Sequence, residues 1–155
     1  MPNSSKPKQV GYSEKMKMPP LGLISIGGYL KMHGYCVRIL DLFTNHIKKA
    51  EFIDLLKTTQ PDMIGISTYT ENFNGVIQLT RLIKSICSNC IVVLGGAHVT
   101  FLPDEAIQHE SVDYISRGEG EMMFVELLEY LNFGTLDIRE IAGLSYKENG
   151  QVSHN

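Results

Sequence analysis

Two short glycine-containing loops hold the residue types best suited to binding a ligand. Residues 95–100 read Gly-Gly-Ala-His-Val-Thr and follow residues 91–94, an apolar and mostly β-branched run that predicts a buried strand. Glycines directly after a strand let the backbone turn sharply and leave no Cβ between the main chain and a ligand. Residues 116–121, Ser-Arg-Gly-Glu-Gly-Glu, follow a second predicted strand at 112–116. Because ligands bind outside the carboxyl ends of parallel strands, both loops are predicted to lie at one binding edge.

The charged and imidazole side chains of these two loops each admit two interpretations. His98 could donate to a ligand or touch a metal, or it could simply bond nearby backbone. Arg117, Glu119 and Glu121 could hydrogen-bond a ligand that bears amides. The two glutamates could equally favour the first turn of the following helix through its dipole. The two roles are compatible, so neither is discarded.

A third loop adds hydroxyl groups at the same predicted edge. Ser67, Thr68 and Thr70 follow the apolar run at residues 63–66 and suit amides or phosphate, although the same residue types also form ordinary turns. The three loops have small and polar residues in common. This convergence favours a binding edge more than any one loop does.

The Cys-x-x-Cys pair formed by Cys87 and Cys90 is interpreted as structural. It ends a predicted helix, whereas a redox pair normally opens one, where the helix N-terminus stabilises the thiolate. A tetrahedral metal site would need a second pair or histidines, and Cys36 is the only further cysteine. The dinucleotide fingerprint is incomplete at Gly118 and Gly120, and neither a phosphate loop nor a Gly-x-Ser-x-Gly motif occurs.

The elements that would position these loops alternate between strand and helix. Strands are predicted at residues 36–42, 63–67, 91–94 and 113–116, and amphipathic helices are predicted between them. Such alternation predicts an α/β fold, a flavodoxin-like doubly wound parallel sheet with helices on both faces. Asn149-Gly150 predicts a short C-terminal β-hairpin. No strand precedes the helix predicted at Pro19-Pro20, except a poor candidate at residues 9–12, so the first strand of the sheet is apparently missing.

Composition sets the broad class. The chain has 155 residues, 43% of them hydrophobic, and a net charge of -3, which gives no reason to expect nucleic acid as a partner. No apolar stretch approaches the ~20 residues needed to cross a membrane. Three cysteines without a secretion signal predict a reducing cytoplasm. We expect a flexible arm at 1–18, the α/β domain at 19–142 and the terminal hairpin at 143–155.

Taken together, the motifs resemble the N-terminal cobalamin-binding domain of class B radical S-adenosylmethionine enzymes. The resemblance begins with Pro-Pro-Leu-Gly-Leu at residues 19–23 and with Gly34-Tyr35, ahead of the strand that ends in Asp41. The three polar loops follow in the order and spacing of that family. Residues 141–147 with Asn149-Gly150 resemble the hairpin that closes the domain. Each motif alone is weak, but their joint occurrence is specific.

The resemblance implies that the carboxyl edge of the sheet holds the corrin and its nucleotide tail. By position, the residues that would bind this cofactor are Ser67, Thr68, Tyr69, Thr70, Gly95, Gly96, Ala97, His98, Thr100, Arg117, Gly118, Glu119, Gly120 and Glu121. The Asp-x-His motif whose histidine ligates cobalt in cobalamin mutases does not occur. The cobalt would therefore be bound without a protein histidine, and no catalytic residue is assigned.

The function implied is a cobalamin-binding module that is not catalytic on its own. Its partner would be a radical domain, in cis or in trans, belonging to a methylase or related enzyme. S-adenosylmethionine and an iron–sulfur cluster would bind only in that domain, because the Cys-x-x-x-Cys-x-x-Cys motif is absent from this sequence. The alternative is a cobalamin-free domain of the same fold that acts as an interaction or scaffold module. In that case Tyr69 and Met122 are the bulky residues that would close the corrin site.

Overall fold

The computed structural model describes residues 19–42 and 47–155. The strands of this part of the chain are β1 (Met63–Ser67), β2 (Ile91–Gly95), β3 (Tyr114–Ser116), β4 (Leu144–Glu148) and β5 (Gln151–His154). Its α-helices are α1 (Leu21–Met32), α2 (Lys49–Thr59), α3 (Phe73–Ile86), α4 (Ala97–Phe101), α5 (Pro103–Ile107) and α6 (Glu121–Phe133). None of the helices in the described ranges combines the length and the apolar character that a membrane crossing requires.

The strands form one sheet in the spatial order β1-β2-β3-β4-β5. β1, β2 and β3 are parallel, β4 is antiparallel to β3, and β4 and β5 form a hairpin. Its turn carries positive φ angles of 52° at Asn149 and 79° at Gly150, the conformation that an Asn-Gly hairpin turn requires. The flavodoxin-like parallel sheet and the C-terminal hairpin are therefore confirmed.

Alternating side chains of β2 fill two separate cores. Val92 and Leu94 pack beneath α2 and α3 in what we call the α2–α3 core, whereas Val93 packs beneath α1 and α6 in the α1–α6 core. All three side chains are fully buried. Because side chains of a strand alternate between faces, helices must cover both faces of the sheet, as the sequence predicts.

The prediction of a strand at residues 36–42 is wrong. No strand is assigned there, and residues 35–41 have no regular secondary structure. The alternating apolar pattern that favours a strand, at Val37 and Ile39, is real. A strand, however, also needs a hydrogen-bonded neighbour, and within the described ranges no backbone hydrogen bond joins residues 35–40 to β1. The described sheet thus has three parallel strands where four were predicted. The candidate strand at 9–12 and the predicted arm at 1–18 lie outside the described residues.

Helix α1 begins and ends where the sequence predicts. The amide of Ile24 donates to the carbonyl of Pro20 at 3.0 Å, which places the prolines before the first turn, where no amide partner is needed. Gly34 follows the helix with φ of 85°, a conformation that glycine adopts without strain. In between, Gly27 lets the segment around Ile39 approach the helix, because a Cβ at this position would lie 2.8 Å from Cδ1 of Ile39.

Candidate functional site

The register of the parallel strands brings the three polar loops to one edge. Ser67 lies opposite Gly95 at the carboxyl ends of β1 and β2, and Ser116 ends β3 on the other side of β2. The loops that follow contain the residues predicted from the sequence as ligand-binding. The structure therefore gathers all three predicted loops at the carboxyl edge of the sheet.

The first two loops are locked together through their backbones. The amide of Thr68 donates to the carbonyl of Gly95 at 2.7 Å, and the amide of His98 donates to the carbonyl of Thr68 at 3.2 Å. Gly96 lies at the crossing with φ of 97°, and a Cβ there would lie 2.7 Å from the carbonyl oxygen of Thr68. No other residue type fits without displacing the backbone of the first loop. Gly96 is therefore required by the fold itself.

Thr100 braces the second loop against the third. Its hydroxyl donates to the carbonyl of Gly96 at 2.9 Å and accepts from the amide of Gly118 at 3.1 Å. This side chain was predicted from the sequence to bind the cofactor. The structure gives it a bracing role that sequence spacing does not reveal, because its partner lies 18 positions downstream.

Gly95 differs from its neighbour in the space around it. A Cβ on Gly95 would lie 3.6 Å from Cβ of Ser116 and 3.8 Å from the carbonyl oxygen of Ser116, which are ordinary van der Waals distances. Gly118 has no atom within 4 Å of its Cβ position, although its φ of 76° favours glycine. The fold therefore does not need glycine at position 95 for steric reasons. The absent side chain leaves backbone open at the centre of the edge.

His98 lies behind its loop and contacts protein groups. Its side chain is buried, and its ring centroid is 4.2 Å from that of Phe73. Nδ1 is 3.2 Å from the hydroxyl of Thr70, and Nε2 is 3.7 Å from the carboxylate of Glu105. Of the two interpretations given above, this environment favours a histidine that bonds its own surroundings. Thr70, the hydrogen-bond partner of Nδ1, is exposed.

Arg117 ties the third loop to the C-terminal hairpin. Its amide donates to the carbonyl of Gly143 at 2.8 Å, and its guanidinium donates to the carbonyl of Asn155. The side-chain amide of Asn155 in turn donates to the carbonyls of Ile138 and Ile141 at 2.7 and 2.9 Å. The guanidinium thus has a partner within the chain. The contact between Arg117 and Asn155 could not be predicted from local sequence, because the two residues are 38 positions apart.

The remaining residues of the third loop divide between packing and exposure. Glu121 accepts a hydrogen bond of 2.5 Å from the hydroxyl of Ser25, and this bond lowers the pKa of the carboxyl. Gly120 is buried against α1, since a Cβ there would lie 2.8 Å from Cδ1 of Ile26. Glu119 is exposed. Of the two acidic residues, Glu119 is the one directed to solvent.

Large apolar side chains in the three loops, or in the helical turns next to them, are exposed. They are Leu21 at 65%, Tyr69 at 55%, Phe101 at 82%, Leu102 at 50% and Met122 at 63% exposure, and we call them the apolar rim. Each lies in a loop of this edge or in a short helix or first helical turn next to one. Clustered exposed apolar groups mark interaction sites in soluble proteins. The edge thus combines open backbone at its centre with apolar side chains around it.

The opposite edge of the sheet carries small clefts and the cysteine pair. One cleft of about 240 Å³ is lined by Ile91, Val112, Asp113, Tyr114 and Lys147, and another of about 280 Å³ by residues 60–62 and 86–90. Both are below the ~300–1,000 Å³ usual for small-molecule sites. Cys87 and Cys90 are buried here. Burial, reinforced by the neighbouring Cys87, raises the pKa of the Cys90 thiol to about 11, and a protonated thiol is a poor nucleophile and a poor metal ligand.

Comparison with known proteins identifies the family. A family model for the B12 binding domain matches residues 8–128. The chain belongs to this family. As a B12-binding domain it is similar to an uncharacterized methyltransferase, PH0819, of Pyrococcus horikoshii, at 35% identity over 135 residues that cover 86% of this chain and 29% of that protein. It is also similar to the anaerobic magnesium-protoporphyrin IX monomethyl ester cyclase of Synechocystis, at 30% identity over 141 residues covering 89% and 28% of the two chains.

A solved structure gives the same result. The cobalamin-dependent S-adenosylmethionine radical enzyme OxsB, with aqua-cobalamin and S-adenosylmethionine bound, superposes with a TM-score of 0.77 at 27% identity. The match covers 87% of this B12-binding domain and 19% of OxsB. The resemblance to the cobalamin-binding module of radical S-adenosylmethionine enzymes is therefore confirmed. The domain spans between 19% and 29% of the length of these three proteins.

Proposed function

We propose that this B12-binding domain holds cobalamin at the carboxyl edge of its sheet and catalyses nothing by itself. The observation that carries the proposal is Gly95. The fold tolerates a Cβ there, with no atom closer than 3.6 Å, yet the residue is glycine at the centre of the edge. A flat corrin lying against this backbone accounts for the missing side chain, because a Cβ would separate the ring from the main chain.

The residues of the edge fit such a ligand in character. The open backbone at Gly95 and Gly118 would face the ring, and the apolar rim would contact its faces and methyl groups. The exposed Thr70 and Glu119 offer hydrogen-bonding groups to the amide side chains of a corrin. Cobalamin supplies the cobalt chemistry when bound, and the protein supplies position and environment. His98 is buried against Phe73 and bonds Thr70, which supports binding without a histidine ligand to cobalt.

The proposed partner is a radical S-adenosylmethionine domain, in cis or in trans, that carries S-adenosylmethionine and the iron–sulfur cluster. Two observations support it. The domain corresponds to less than a third of each similar enzyme, and Phe101 and Met122 on the apolar rim are 82% and 63% exposed. A second domain seated on the rim would bury these side chains and cover the cofactor. The reaction class that we infer is methylation or a related change, and the inferred compartment is the cytoplasm.

The test is a spectral titration of the chain with hydroxocobalamin. We expect saturable binding, and we expect His98→Ala to weaken it only modestly and to leave the cobalt absorption bands in place. His33→Ala is the matched control, because His33 is an exposed histidine at the end of α1. If the unaltered chain shows no binding up to its solubility, the scaffold alternative replaces this proposal. If His98→Ala alone shifts the cobalt bands, the cofactor is right and the ligation is wrong.

A further inference from the structure

The two ring nitrogens of His98 face different groups inside the protein. Only 4% of this side chain is exposed, and its ring lies against that of Phe73. Nδ1 is 3.2 Å from the hydroxyl of Thr70. Nε2 has no hydrogen-bond partner among the described residues, but it is 3.7 Å from the carboxylate of Glu105, too far for a hydrogen bond and close enough for electrostatic attraction. The ring is therefore held between a hydroxyl group and a carboxylate.

Backbone hydrogen bonds fix this ring and this hydroxyl relative to each other. The amide of His98 donates to the carbonyl of Thr68 at 3.2 Å. Residues Thr70–Asn72 form one turn of 3-10 helix, which is held at its start because the amide of Tyr69 donates to the side-chain carbonyl of Asn72 at 2.8 Å. The contact between Nδ1 and the hydroxyl thus joins two loops whose backbones are already tied together.

The neighbours of the ring decide which nitrogen carries the proton. A neutral imidazole has an N–H at one nitrogen and a lone pair at the other. The carboxylate of Glu105 attracts an N–H at Nε2 and repels a lone pair there. With the proton on Nε2, Nδ1 can only accept, so the hydroxyl of Thr70 donates to it. Because a hydroxyl has a single hydrogen, the oxygen of Thr70 then has only lone pairs left for another partner.

We propose that His98 is a positioning residue, which carries its proton on Nε2, accepts the hydroxyl hydrogen of Thr70 at Nδ1 and so makes Thr70 a hydrogen-bond acceptor at the carboxyl edge. Thr70 is exposed, and the ligand group that fits an acceptor is an N–H donor. The carboxamide side chains of a corrin provide such donors, whereas an ionised carboxylate has no hydrogen to give. The role of Thr70 rests on the proposed binding of cobalamin, whereas the proton position of His98 is measurable without it.

Nitrogen NMR of the unliganded chain at about pH 8, where an ordinary imidazole is neutral, tests the proton position. Long-range proton–nitrogen correlation spectra distinguish the two neutral forms from each other and from the imidazolium, and the signals of His98 are identified by their loss in His98→Ala. We expect the form that is protonated on Nε2. A proton on Nδ1, or on both nitrogens, overturns the proposal, because Nδ1 would then donate to Thr70.

A double-mutant cycle with hydroxocobalamin tests the role of the hydroxyl. Thr70→Val removes it and should weaken binding roughly two- to tenfold, the net effect of one hydrogen bond, whereas Thr70→Ser keeps it and should bind like the unaltered chain. In a His98→Ala background the effect of Thr70→Val should be smaller, because the hydroxyl has lost the partner that orients it. His109→Ala is the matched control background, since His109 also packs on Phe73, with 6.1 Å between centroids, while the bond to Thr70 is made by His98.

The outcomes separate this role from cobalamin binding as such. Weaker binding in Thr70→Val but not in Thr70→Ser, with a smaller effect only in the His98→Ala background, supports the proposal. Unchanged affinity of Thr70→Val, an equal loss in Thr70→Ser, or an equal effect of Thr70→Val in the two histidine backgrounds overturns it while cobalamin binding stands. If the unaltered chain does not bind hydroxocobalamin, the proposed function and the role of Thr70 are both overturned.

Discussion

The two ends of the parallel strands are built in opposite ways. At the amino end, the ammonium of Lys84 lies 2.6 Å from the carboxylate of Asp113 and donates to the carbonyl of Cys90 at 2.8 Å. The same carboxylate accepts from the amide of Val92 at 2.7 Å. At the carboxyl end, glycine loops leave backbone open and apolar side chains exposed. The amino end pairs its charged groups with one another and buries its thiols, whereas the carboxyl end leaves backbone open at Gly95 and apolar side chains exposed.

This difference shows why residue type alone is a poor guide to a binding site. A Cys-x-x-Cys pair attracts attention in a sequence, yet burial raises the pKa of the Cys90 thiol to about 11. Gly95 is unremarkable in a sequence that also contains Gly96. Only the surroundings distinguish the two glycines, because a Cβ at Gly96 would clash with the backbone of Thr68, whereas a Cβ at Gly95 would lie at ordinary contact distance from Ser116.

The largest effect on stability is expected from Gly96→Ala. A Cβ at this position would lie 2.7 and 2.8 Å from two backbone atoms of Thr68, at a φ of 97°. Strained backbone of this kind costs about 1–3 kcal/mol, and the clash adds to it. Urea denaturation should therefore show a loss of roughly 2–4 kcal/mol. The matched control is Gly75→Ala, at a helical position with no atom within 4 Å. Equal stabilities of the two variants would contradict the interlocked-loop description.

A smaller loss is expected at the amino end from Asp113→Ala. The change leaves the amide of Val92 without its 2.7 Å acceptor and Lys84 without its ion partner. An unsatisfied, partly buried group costs about 1–3 kcal/mol. Urea denaturation measures the loss of stability. The Asp113→Ala variant should bind hydroxocobalamin with the same affinity as the unaltered chain. If the Asp113→Ala variant is folded but binds cobalamin more weakly, the amino end of the strands also contributes to binding, and the contrast between the two ends is wrong.

The smallest effect on stability is expected from ionisation of the Cys90 thiol, whose burial should be seen most clearly in its reactivity. Its burial and its raised thiol pKa of about 11, against an ordinary 9.0, predict that Cys90 is alkylated at pH 8 more slowly than the exposed Cys36. Because the folded pKa is raised, the thiol stabilises the folded chain below pH 9, and this contribution is lost as pH rises through about 11. Mass spectrometry after iodoacetamide treatment measures the labelling. Modification of Cys90 as fast as Cys36 would refute the buried environment.

Elements with strong local signals could be predicted from the sequence. The apolar run at β2, the Asn-Gly hairpin turn and the glycine after α1 all appear where expected. Residues 36–42 could not be assigned correctly, because their alternation is compatible with a strand while their lack of a hydrogen-bonded neighbour is a property of the whole sheet. Local pattern specifies which face a residue presents, and tertiary structure decides whether a strand forms.

The location of the candidate site could be predicted from the sequence, but the roles of its individual side chains could not. The three loops could be assigned to the carboxyl edge because parallel strands end together. Contacts across long stretches of sequence then changed the meaning of single residues. Arg117 bonds the carbonyl of Asn155, Thr100 bonds Gly118, and His98 packs on Phe73. None of these partners is marked by local spacing.

The central claim is that open backbone at Gly95 receives the corrin, and one comparison tests it most directly. Hydroxocobalamin is titrated into the unaltered chain, into Gly95→Val and into Gly28→Val, a control in α1 with no atom within 4 Å of its Cβ position. A branched side chain in a ligand-filled space costs ~1–3 kcal/mol, so affinity should fall roughly ten- to hundredfold in Gly95→Val and stay unchanged in Gly28→Val. Equal affinity of the three proteins, with circular dichroism showing all of them folded, would contradict the claim.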